Sequence, residues 1–450
     1  MERDLGLYKQ LKRCRTMNEI AQCIPDCIYD RGTELILLYW CLVPVFSMIY
    51  SYITRIDADL LIYLSVIGSG ILGIYLMILR ALKENVLQSL RDESYVIKHL
   101  SQLALLFMLI WSLFSCLLAR DKYHAFIGDV YSHEGFLTYV AYAGFYGSAV
   151  FLNNKNIFNK VLNLFCWIGT VLSFLTILQY YGIHIRAFSG YMKLAATFHN
   201  TNHFGYYLTL TILCSGAFFV VAKSLKEQMI YLIQFIIMIS ALIFNNTFGS
   251  YLGVLGGSLI MIIIFYCCKG QLKIKFFVPF ITIMIISLVI NVTSGIVDHN
   301  FEVLKQDTVE ILNETEQSAH AGSGRWQLWT NAVKFTMERP LVGYGPDNLD
   351  YNYAQVGINM LKPHNEYLQH AATLGIPALI FYLISLVNLY IHGIKHKQEL
   401  DTLVIISFCV ISGYLISAFV GNTKFYVTPY FMIFLALATK VKLEKEEANV

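Results

Sequence analysis

Two short stretches place reactive side chains where a ligand could meet them. In the first, Arg325 follows Gly322-Ser323-Gly324 and opens the segment GRWQLWTNAVKFTMERP. The free backbone N–H groups of a helix start favour an anion, and a guanidinium there adds a bidentate donor. That pattern suits a phosphate or pyrophosphate clamp; the plainer reading is a solvated loop arginine. In the second, LKPHNEYLQHAATLGIP, Pro363 precedes His364, and Asn365 stands where a helix cap is expected. The positive end of the helix that follows opposes imidazolium formation, leaving His364 neutral near pH 7 and able to accept a proton. The plainer reading is an interfacial histidine in a capping turn. His364 and His370 do not share a helix face, and HNEYLQH lacks the HExxH spacing of a zinc site.

Two further polar clusters carry weaker signals. KLAATFHNTNHFGYYL (193–208) holds Lys193, His199, Asn200, Asn202 and His203 just ahead of an apolar run, and NNTFGSYLG (245–253) turns the chain between two others. Both fit polar loops rich in cap-forming residues. Asp57 and Asp59 in RIDADL form a lone DxD, a minimal pattern for a divalent cation. GYG at 343–345 follows no strand and is not a nucleotide fingerprint.

The elements that must position these residues are membrane helices. Of 450 residues, 56% are hydrophobic and only 14% charged, with a mean hydropathy of +0.56. A soluble chain of this length carries nearly twice that charge. Apolar runs of the length needed to cross a hydrocarbon core fall near 34–53, 58–79, 100–118, 135–152, 160–181, 204–222, 228–245, 248–268, 274–292, 367–391, 402–420 and 425–439. The expected fold is an all-α polytopic membrane protein of about 12 spans. With the N-terminus cytoplasmic, 22 of the 33 basic residues fall in inner segments, and both termini lie inside. The net charge of +3 then reflects topological anchors, not a nucleic-acid partner. The four polar clusters all land on the outer side.

The loop 293–366 is the long exception, carrying ten of the 30 acidic residues. Long loops with their own periodicity are usually functional. Val297, Phe301, Leu304, Thr308 and Ile311 recur at helical spacing, and a second helix carries Trp326, Trp329, Val333 and Met337 on one stripe before Pro340 stops it. The expected organisation is an amphipathic N-terminal segment (1–33), a first bundle (34–182), a catalytic membrane domain (183–440) that includes the loop, and a cytoplasmic tail (441–450). The first span is expected to be an uncleaved anchor. All ten cysteines lie in spans or the N-terminal segment, so no extracytoplasmic disulfide framework is expected.

GRWQLWTNAVKFTMERPLVGYGPDNL followed by PHNEYLQHAATLGIPALIFYL resembles the shared domain of the bacterial O-antigen ligase and polymerase family. KLAATFHNTNHFG is similar to that family's upstream segment, and the likeness runs with gaps from about residue 190 to 390. The resemblance implies a metal-independent transferase, without cofactor, that moves a glycan from undecaprenyl pyrophosphate to an acceptor hydroxyl at the outer face of the inner membrane. It assigns Arg325 to the pyrophosphate and His364 to the acceptor as general base. It also implies substrate contacts from Lys193, Asn200, Asn202, Trp329, Gly343, Gly345 and Asn365. Lys193 stands where the family usually has arginine, keeping charge but losing bidentate geometry. NNTFGSYLG lacks the arginine often found there, with Phe248 in its place.

Polymerisation of surface-polysaccharide repeat units is the leading function, with a chain-length regulator as a candidate partner. Ligation of a finished glycan to lipid A core or protein differs only in the acceptor. A flippase or transporter also fits twelve spans, but no internal repeat and almost no ionisable residue within a span supports it. A metal-dependent glycosyltransferase would have to use Asp57 and Asp59.

Overall fold

The computed structural model describes residues 2–183, 185, 194–313, 321–322, 324–422 and 424–443, with side chains from residue 7 onward. Among these residues the regular elements are helices, and no β-strand forms. Nine described helices are long and apolar enough to cross a membrane: Asp26–Thr54, Ala58–Lys83, Leu100–Leu117, Lys155–Tyr180, Thr201–Val221, Leu225–Asn245, Phe248–Lys269, Ile376–Lys395 and Thr402–Val420. A tenth arises if Val278–Ser294 and Ile296–Leu312, which meet at a bend of 96°, act as one span. The chain is a multi-pass membrane protein, helical throughout its regular elements among the described residues.

Three of the expected twelve spans correspond to shorter helices: Phe136–Val150, Val278–Ser294 and Thr428–Ala438, of 15, 17 and 11 residues. At about 1.5 Å per residue, the last reaches only about half of a hydrocarbon core of about 30 Å. The expected continuous span at 367–391 is also corrected. It divides at Gly375 into Glu366–Leu374 and Ile376–Lys395. Gly375 sits at φ +92, and a Cβ there would lie 2.1 Å from the Leu341 carbonyl oxygen. Only glycine tolerates both constraints. His364 therefore precedes a separate nine-residue helix rather than a long span.

Thr201–Val221 and Thr402–Val420 form the centre of the bundle, with 94% and 83% of their apolar windows buried. Small residues bring backbones together, as expected where helices associate in lipid. Gly253 and Gly257 face Gly413, joining Phe248–Lys269 to Thr402–Ser417, and Gly70 and Gly73 face Ala141 and Gly144.

The segment after the bend carries the two helices expected in the long loop, Ile296–Leu312 and Arg325–Glu338. The buried face of the second differs from the expected stripe. Leu328, Asn331, Ala332, Phe335 and Thr336 point inward, whereas Trp326, Val333 and Met337 are exposed. Leu328 and Phe335 join Leu349, Tyr353 and Ala372 in a small core that seats this helix against Glu366–Leu374.

Candidate functional site

One pole of the bundle gathers the polar segments. His199 Nδ1 lies 2.8 Å from Asp59 Oδ2, and the Tyr426 hydroxyl donates to Asp59 Oδ1. The His199 and His203 rings stack 6.3 Å apart, and His203 lies 4.8 Å from the Tyr426 ring. The Tyr206 hydroxyl donates to Val420 O at 2.9 Å. These contacts tie the starts of Ala58–Lys83 and Thr201–Val221 to the turn before Thr428–Ala438.

His364 is partly buried at this pole and holds a left-handed φ of +53. For a residue with a Cβ this costs about 1–2 kcal/mol and persists only where the surroundings fix it. Two contacts do so. Asn365 caps the next helix, its Oδ1 accepting from Leu368 N at 3.0 Å. Trp329, one turn into the Arg325 helix, donates from Nε1 to His364 O at 3.4 Å. Burial and the charges of Lys424, Arg325 and Lys362 push the His364 imidazole down to about 3. The sequence argument attributed its neutrality to the helix end; burial and neighbouring cations push in the same direction.

Arg325 opens its helix after Gly324 at φ +81. Its Nη1 donates to Gly322 O at 3.2 Å, while Nε is buried without a hydrogen-bond partner among the described residues. Arg325 and His364, 39 positions apart in sequence, thus share one site, the first bearing electrostatically on the second.

Beneath them lies a polar layer that sequence reasoning missed. Asp347 Oδ2 accepts from Asp129 N at 2.8 Å, from Glu134 N at 3.1 Å and from the Ser132 hydroxyl. Lys362 Nζ stands 3.6 Å from Asp347 Oδ1, and both residues are buried. Burial pushes the Asp347 carboxyl up, but Lys362 and these donors outweigh it and hold it below its usual range. The buried Glu366 carboxylate accepts from the Tyr382 and Tyr414 hydroxyls, each at 2.8 Å, anchoring its helix to the two that follow. His370 Nε2 lies 3.8 Å from Glu366 Oε1. Both residues pack rather than line the site.

The remaining expected residues divide by task. Lys193 lies outside the described residues. Asn200 caps Thr201–Val221, its Oδ1 accepting from Asn202 N at 2.8 Å; Asn202 is partly exposed beside it. Gly343 and Gly345 have their amides committed, to Arg339 O at 3.0 Å and Thr373 O at 2.8 Å. A Cβ on Gly343 would lie 2.4 Å from the Thr373 carbonyl, so these glycines seat the turn against the His364 helix. From NNTFG, the Asn245 amide donates to Leu194 O at 2.8 Å and Thr201 O at 3.1 Å. That cluster pins the 194–201 segment. Asp57 caps its helix by accepting from Asp59 N at 2.7 Å, and Asp59 faces His199 and Tyr426, so the DxD carboxylates do not converge. Among the described residues no group of three or more His, Cys, Asp or Glu is placed to hold a metal ion.

Lys362 was visible in the sequence two positions before His364, and Lys424 stood alone between two apolar runs. An isolated cation at a span edge is itself a functional signal.

Residues 233–383 match the model of a family described as O-Antigen ligase. The matched region contains Arg325, Trp329, Gly343, Gly345, His364 and Asn365, and excludes 193–208 and the turn holding Lys424. A protein of Haemophilus influenzae described as uncharacterized is 25% identical over 183 residues. That similarity covers 38% of this chain and 45% of the relative, so the chain spans under half of that protein's length.

Proposed function

We propose, from the O-antigen ligase family domain that this chain carries over residues 233–383, that it transfers a glycan from undecaprenyl pyrophosphate to an acceptor hydroxyl. The acceptor reading favoured is a surface-polysaccharide repeat unit, with the reaction at the outer face of the cytoplasmic membrane. The observation that carries the reading is the joining of Arg325 and His364 through Trp329, which lies on the Arg325 helix and bonds to His364 O at 3.4 Å. A cation and a neutral base then share one partly buried site.

The chemistry needs little protonation of the leaving group. The acceptor oxygen bonds to the anomeric carbon while the bond from that carbon to the phosphate oxygen breaks, its electron pair leaving on the pyrophosphate. Arg325, helped by Lys193, stabilises the charge that develops there. The acceptor proton passes to the His364 imidazole, whose proton affinity rises as the bound pyrophosphate offsets the charges of Lys424, Arg325 and Lys362. With cation and base on opposite sides of the anomeric carbon, the configuration inverts.

Deletion of the gene in its native host tests the reading. Polymerase activity predicts loss of the long-chain ladder with single repeats retained, whereas ligase activity predicts finished polymer left on its lipid carrier. Unchanged surface glycan with unchanged lipid-linked intermediates overturns the transferase reading altogether.

A further inference from the structure

The turn between the last two apolar helices brings polar groups to the site that the proposed reaction does not use. Val420 O accepts from the Tyr206 hydroxyl at 2.9 Å, and the Tyr426 ring lies 4.8 Å from His203. Tyr206 and His203 are three apart in the first two turns of Thr201–Val221, so they share one face. Asn422 and Lys424 lie in the chain between those two contacts.

The turn is held from within as well. Lys424 N donates to the Thr428 hydroxyl at 2.9 Å, and Lys424 O accepts from Val427 N and Thr428 N, each at 2.8 Å. Asn422 is 5% exposed, yet neither its Oδ1 nor its Nδ2 has a hydrogen-bond partner among the described residues. The same holds for Nδ1 of His203, 7% exposed, whereas Nζ of Lys362, 5% exposed, makes no hydrogen bond but stands 3.6 Å from the Asp347 carboxylate. Buried groups of this kind are rare and each calls for a partner. Cations from three segments thus bear on His364, whose proton affinity Lys424, Arg325 and Lys362 all depress. Asp347 balances Lys362, and an anion with more than one charged group adds compensation for the others.

We infer that Lys424 and Asn422, with Lys362, form a second anion-binding half of the site, which takes one phosphate of a diphosphate ligand while Arg325 takes the other. This rests on the proposed pyrophosphate-linked donor. The Lys424 ammonium is brought down to about 7 by burial and by Lys362, against the opposing pull of Glu134 and Asp347. Asp59, which accepts from Tyr426, His133, whose ring lies 5.5 Å from that of Phe425, and His199, His203 and His364 are further titratable groups that face this turn. Only the protonated amine binds an anion, so affinity falls as pH rises through that value, up to about tenfold per unit.

The test is binding of inorganic pyrophosphate to the purified full chain in detergent, at several pH values, for wild type and four variants. Lys424→Ala and Asn422→Ala are expected to weaken binding near pH 6.5, Lys424→Ala by about tenfold or more. Lys424→Arg retains affinity within about threefold and removes the decline above pH 7 relative to wild type, which a merely structural role would not do. Arg325→Ala weakens binding at every pH. If Lys424→Ala and Asn422→Ala bind like wild type while Arg325→Ala does not, the second half-site is wrong and the donor reading stands. If the wild-type chain fails to bind pyrophosphate, both fall.

Discussion

His364 concentrates two opposing demands in one residue. Its left-handed backbone is paid for in stability, and its imidazole is held neutral by burial and three cations. Glycine adopts that backbone without strain. His364→Gly is therefore expected to abolish transfer while melting above His364→Ala, by about 1 kcal/mol, in thermal scans of the purified protein. A lower melting point for the glycine variant would contradict the backbone argument. The titration gives a second prediction. In the unfolded chain this histidine binds its proton near pH 6.5, whereas in the fold it does so only near 3. Between those values the unfolded state holds more protons, so stability present above about pH 6.5 is lost as pH falls toward 3. His364→Gln should flatten that part of the stability curve. By the same logic, activity in wild type should show no acid limb near pH 6.5; a limb there would mean that His364 titrates normally.

At the scale of elements, the site depends on a short helix docked beside a break. Gly375→Ala would drive a Cβ to 2.1 Å from Leu341 O at a backbone angle suited only to glycine. The expected cost is about 2–4 kcal/mol, read as lost accumulation of folded protein in membranes. Trp329→Phe removes one long hydrogen bond to His364 O, worth about 1 kcal/mol, and should lower kcat severalfold with little change in donor KM. The sequence placed these elements well where periodicity and caps were strong. Arg325 at its helix start, Asn365 as a cap, and the helix over Ile296–Leu312 were all legible. The break at Gly375 was not, because Gly-Ile-Pro inside an apolar run reads as a tolerable kink. The stripe read in Arg325–Glu338 leaves Trp326, Val333 and Met337 exposed, and the inward face of Leu328, Ala332 and Phe335 was not read from the sequence. Lys362, Asp347 and Lys424 were missed because they meet through chain separations that no local pattern records.

At the scale of the whole molecule, small-residue helix contacts build a bundle whose polar chemistry collects at one pole. Basic residues mark the opposite ends of the helices, as at Arg80 and Lys83 or Lys269 and Lys395. The orientation proposed on that basis places the Arg325–His364 pole outside. Alkaline phosphatase fused after Asn313 should be active and the same reporter fused after Lys397 inactive; the reverse pattern would turn the site toward the cytoplasm. The central claim is that Arg325 and His364 act together in glycan transfer. The most direct measurement is transfer from a lipid-pyrophosphate-linked donor by purified wild type, Arg325→Ala and His364→Ala, each matched for folded protein. A loss of about a hundredfold or more in each variant is predicted; transfer at the wild-type rate by either would contradict the account.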